Sequence, residues 1–181
     1  MNRDIAVVLV AIIFGLTAPR QLAATVLLPA DFSRMVTESQ VIVHARVIDV
    51  EGQLAGPRRS IESVVTVTVL SSLKSQAGEE AVFRVPGGRV GRYRRIFIGA
   101  PVFKPGDEVV LFLKSRGPEM PMPFGLSQGV YRVSRVTGAP MVMPIPPPDN
   151  GTGAPRGDAA RKPVALDDFA RQVRQTAGAI R

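Results

Sequence analysis

Cysteine and tryptophan are absent from this 181-residue chain, and histidine occurs once, at His44. Without cysteine there is no disulfide and no thiolate ligand, so the fold rests on apolar burial or on a partner. A zinc site takes three or four ligands, mostly Cys or His, and one histidine does not supply them. No metal and no cofactor is therefore expected. Long apolar runs are missing as well. The N-terminal run Ile5–Thr17 falls short of the roughly 20 residues that cross a bilayer, and no later stretch approaches that length.

What is present begins with that run. Arg3 precedes it, and Ala18–Ala24 (APRQLAA) follows with small residues. A positive start, a short apolar segment and a small-residue end are the pattern of a secretory signal peptide, expected over residues 1–24. A periplasmic or secreted bacterial protein is the implied location, since animal exported domains of this size usually carry disulfides. The formal charge of +8 suits anionic partners. Residues 25–143 have the length of one domain. Residues 144–163 (PIPPPDNGTGAPRGDAARKP) are too rich in Pro, Gly and Ala to bury a core and read as a disordered linker. Residues 164–181 carry a helix, with Leu166, Phe169, Val173 and Ala177 on one face and Asp167 and Asp168 at its positive end.

Within the domain, Phe32, Met35 and Val36 recur at helical spacing and Asp31 can cap the start, so a short helix is expected over 29–40. Val41–Val50 alternates as a strand, and the β-branched run in Ile61–Leu73 gives a second. Ala81–Val85 is a third, closed by a turn at Pro86-Gly87-Gly88, and Arg92–Ile98 (RYRRIFI) a fourth. Glu108–Lys114 is continuously apolar and reads as a fifth strand buried on both faces. Gly129–Val136 is the sixth. The expected fold is mostly β: a small barrel or sandwich of five to six strands, with a short N-terminal helix and a C-terminal amphipathic helix.

The segments VIVHARVIDVEG, FRVPGG, GAPVFKPGDEVVLFL and GLSQGVYRV follow in that order over about residues 29–136. This succession resembles a group of uncharacterised exported bacterial proteins that share a VPGG…GAPxFxPGDEVVLFL…GLSQGxYRV pattern. The order of its first strands is also similar to the netrin-module and tissue-metalloprotease-inhibitor class of OB-type barrels. The resemblance implies an OB-like barrel and binding rather than catalysis. Inhibitors of that class chelate the protease zinc through an N-terminal cysteine, which this chain lacks.

The strongest concentration of chemistry is Arg84, Arg89, Arg92, Arg94 and Arg95, interleaved with Tyr93 and Phe97. Guanidinium groups bind carboxylate and phosphate in bidentate fashion, and aromatics stack on planar groups. Charge guarding a hairpin edge against aggregation is the plainer alternative. The candidate binding residues are Arg89, Arg92, Tyr93, Arg94 and Arg95, with Ser127 and Gln128 of the Gly125–Gly129 loop. No catalytic residue is assigned: His44 reads as a half-exposed strand histidine, and Asp107 and Ser127 lie outside any nucleophile-elbow pattern. The expectation is an exported non-enzymatic binding module that engages a protein partner. The alternatives are a basic binder of lipopolysaccharide, cell-wall polymer or nucleic acid, and, ranked last, a hydrolase.

Overall fold

The structure is a computed structural model that describes residues 30–57, 59–135, 138–145 and 162–179. The expected signal peptide and most of the expected linker lie outside those residues. Among the described residues no helix is long and apolar enough to cross a membrane.

The chain starts with helix α1 (Phe32–Glu38), capped as expected by Asp31, whose Oδ1 accepts from the Arg34 amide at 2.6 Å. Two 15-residue strands follow, β1 (Val41–Ala55) and β2 (Ser60–Lys74), and then β3 (Glu80–Pro86). A small hairpin comes next, β4 (Gly88–Val90) with β5 (Tyr93–Arg95). Strand β6 (Glu108–Lys114) and the two-residue β7 (Met122–Pro123) lead into a 3-10 turn at Leu126–Gly129. Strands β8 (Val130–Ser134), β9 (Met141–Pro144) and β10 (Val164–Ala165) precede helix α2 (Leu166–Gly178).

The main sheet is antiparallel, in the order β10-β9-β8-β6-β1-β2-β3, with β7 beside β8 on the same edge of β6. Three register shifts in the β1–β2 pairing mark irregularities of the kind that let long strands coil. Among the described residues the strand pairing does not close. The Arg84 amide of β3 donates to the Pro121 carbonyl at 2.9 Å, which brings the far edge of the sheet to the segment before β7.

Alternation along β1 and β6 divides the core in two. Val43, Ala45 and Val47 of β1 join Val109, Leu111 and Leu113 of β6, with Val65, Val67, Phe83, Val85 and Phe103, on one face. Ile42, Val110 and Phe112 point the other way, where both helices cover them. There Phe169 of α2 lies 4.9 Å from Tyr131, 5.6 Å from Phe32 and 6.2 Å from Phe112, ring centre to ring centre. Lys74 fixes α1 from below, donating through Nζ to the carbonyls of Val36 (2.6 Å) and Ser39 (2.7 Å) at the helix C-terminus.

Several boundaries differ from expectation. Arg92–Ile98 is not one strand. Only Tyr93–Arg95 pairs, with Gly88–Val90, a stretch expected to begin in a turn. Ile96–Ile98 has β-forming side chains and no neighbouring strand to bond. Strand β9 begins in sequence with no expected element and ends on Pro144, expected in the linker, and β10 takes the first two residues of the segment expected to carry the C-terminal helix. His44 is buried, not half-exposed. The C-terminal helix docks on the sheet of its own chain.

Candidate binding surface at the hairpin end

Between β3 and β6 the chain leaves the main sheet, forms the β4–β5 hairpin and returns through residues 96–107. The hairpin lies across β1 and β2 because glycine permits it. A Cβ on Gly52 of β1 would overlap the Arg89 carbonyl, so β4 rests directly on the β1 backbone. Gly88 has φ +134°, and a side chain there would strike the Ser63 hydroxyl. Ser63 Oγ instead donates to the Gly87 carbonyl at 2.9 Å, and the Gly87 amide donates to Ile61 at 3.0 Å. Arg95 Nη1 donates to Ser60 Oγ and ties the returning strand to β2.

The arginines differ in whether they have an acidic partner. Several on the body do, Arg34–Glu38 at 2.7 Å, Arg132–Asp107 at 2.8 Å and Arg135–Glu108 at 2.6 Å, whereas the scattered Arg59, Arg116 and Arg174 have no ion pair among the described residues. Arg84, grouped by sequence with the cluster, belongs to the body too, since it pairs with Glu119 at 2.6 Å and Glu62 at 3.4 Å. On the hairpin, Arg89, Arg92, Arg94 and Arg95 have no ion pair among the described residues. Arg92 lies over the Tyr93 ring, 5.1 Å from its centre, and bonds its hydroxyl at 2.9 Å. Arg89 Nε donates to the Gly91 carbonyl at 3.0 Å. Arg89 and Arg94 are direct cross-strand partners. Like charges in that position destabilise a hairpin.

Beside the guanidinium groups the returning loop exposes apolar side chains. Ile96 is 75% exposed, Ile98 69%, Val102 69% and Tyr93 61%. Hydrogen bonds hold that loop: the Ala100 amide to Phe97 at 3.1 Å, the Ser127 amide to Gly99 at 3.1 Å, and Arg132 Nη2 to Val102 at 2.7 Å. Ser127 and Gln128, both expected at the surface, are buried behind it. Gln128 Oε1 accepts from the Ala30 amide at 2.9 Å, so this turn braces the loop from the inside. Sequence reasoning found the arginines but missed Ile96, Ile98 and Val102 as surface. The available signal was Gly99-Ala100-Pro101, which breaks the extended run between Ile98 and Val102.

Beneath the hairpin is a cavity of about 300 Å³. Its lining includes the buried Val65, Val85 and Phe103, with Phe97 and the arginines Arg89, Arg94 and Arg95.

The second polar cluster lies on the helix-covered face of the sheet. His44 Nε2 donates to Glu108 Oε1 at 2.7 Å, Arg135 holds both Glu108 oxygens at 2.6 and 3.1 Å, and Arg46 is 3.5 Å away. The Arg135 guanidinium, with His44 as a further donor, pulls the Glu108 carboxyl down to about 2 against the opposing effect of burial. The histidine's Nε2 is held by Glu108, while Asp107 is taken by Arg132 and the Lys104 amide. Among the described residues no three His, Cys, Asp or Glu side chains converge as metal ligands.

Compared with protein-family models, with curated proteins and with solved structures, the chain matches none of them.

Proposed function

We propose that this chain is an exported, non-enzymatic binding module built on an OB-like barrel, and that it engages a protein partner through the β4–β5 hairpin and the loop after it. One observation carries the reading: four arginines without acidic partners among the described residues stand beside four exposed large side chains, Tyr93, Ile96, Ile98 and Val102. Every one of those exposures costs solubility or repulsion in the free protein, and an acidic, partly apolar protein surface removes both costs.

The opposed Arg89 and Arg94 favour a second reading, binding of an anionic polymer or lipid surface. Immobilised residues 25–181 passed over envelope extract of the source cells separate the two. The protein reading requires identified proteins that stay bound at moderately high salt. It also requires their loss both with R89S/R92S/R94S/R95S and with I96S/I98S. Retention of lipid, glycan or nucleic acid alone, released by salt and indifferent to I96S/I98S, selects the second reading. Retention unchanged by either variant refutes the surface.

A further inference from the structure

The cavity under the hairpin narrows the kind of partner segment that fits. We infer that it receives one large apolar side chain of the bound protein, flanked there by acidic residues that pair with Arg89 and Arg94. This inference rests on the hairpin surface proposed above. A volume of about 300 Å³ is at the bottom of the range for small-molecule pockets, roughly 300–1,000 Å³, and suits a side chain better than a nucleotide-sized cofactor. Val65, Val85 and Phe103 bring buried hydrocarbon to its lining, and the Ser63 hydroxyl is spent on the Gly87 carbonyl. An apolar side chain packed against these groups strands none of their hydrogen bonds. Three cationic side chains, Arg89, Arg94 and Arg95, line the same space. Arg89 and Arg94 face each other across the hairpin, and the Arg94 guanidinium has no hydrogen-bond partner among the described residues. A carboxylate set between them converts a repulsive pair into two charge-assisted hydrogen bonds. The sequence recognised is then an aromatic or large aliphatic residue with an acid immediately beside it.

Blocked tripeptides test this on the whole chain. The probes are glutamate–phenylalanine–glutamate, its alanine-centred analogue and lysine–phenylalanine–lysine, titrated with the amide resonances followed by NMR. The expected result is shifts at Val65, Val85, Phe97 and Phe103 as well as at the arginines with the first peptide. The alanine peptide should bind at least tenfold more weakly, and the lysine peptide should leave these resonances unmoved. A100F, which fills the cavity from its loop side, should lower affinity about tenfold with the hairpin resonances otherwise unchanged. R94Q should do the same through the charge. Equal affinity for the phenylalanine and alanine peptides, with shifts at the arginines alone, refutes the cavity and leaves the hairpin surface standing. Failure of every peptide to move the hairpin refutes both. So does binding of phosphatidylglycerol vesicles through these residues without any peptide binding.

Discussion

Glu108 gathers one histidine and two arginines around a carboxylate whose side chain is only 10% exposed. Its carboxyl group, at about 2 in the folded chain against an ordinary 4.5, favours folding at neutral pH. The group is fully ionised in both states above the ordinary value, where its contribution is complete. It is lost as pH falls from about 4.5 through about 2. E108Q should cost about 1–2 kcal/mol at pH 7, a figure reduced for the solvent that reaches Arg46 and Arg135. In urea titrations the gap between wild type and variant should close across that acid window; a gap independent of pH would show that packing, not charge, is involved. The hairpin arginines predict the opposite sign. R94Q removes a like-charge cross-strand neighbour of Arg89 and should stabilise the free protein by about 0.2–1 kcal/mol at low salt. The gain should fade as salt is added, because exposed charges are screened.

At the scale of elements, the hairpin is placed by the absence of a side chain at Gly52. G52A should push β4 off β1 and cost about 1–3 kcal/mol. Hydrogen exchange would localise the damage: the Gly88–Val90 amides should lose protection while β6 keeps its own. Which elements the sequence revealed follows from where each finds its bonding partner. Val41–Val50, the Ile61–Leu73 run and Glu108–Lys114 are legible because strand alternation or continuous burial is written into their own residues. The cap at Asp31 and the stripe on α2 are local in the same sense. Ile96–Ile98 misleads, since its side chains favour a strand and only the surrounding fold withholds a partner. Strands β9 and β10 are the reverse case: Met141–Pro144 and Val164–Ala165 pair although proline and short length argue against it. Of the binding surface, the charge was readable and the burial of Ser127 and Gln128 was not. That burial depends on Ala30 and Gly99, remote in sequence.

At the scale of the molecule, two apolar cores share one sheet, and α2 completes the one on the helix side. F169A removes a ring packed on Phe32, Phe112 and Tyr131 and should cost about 3–5 kcal/mol. Thermal unfolding should remain a single transition if the cores are coupled through β1 and β6. Two separated transitions would show that the helix-covered core melts alone. The same arrangement governs timing. A ribosome completes the β1–β2 hairpin well before Glu108–Lys114, the strand that flanks β1 on its other side, has been made. Residues Ile42 and Phe112 then wait for Phe169 before their face is sealed. Synthesis thus leaves apolar strands uncovered for most of its duration, a natural client interval for a holding chaperone.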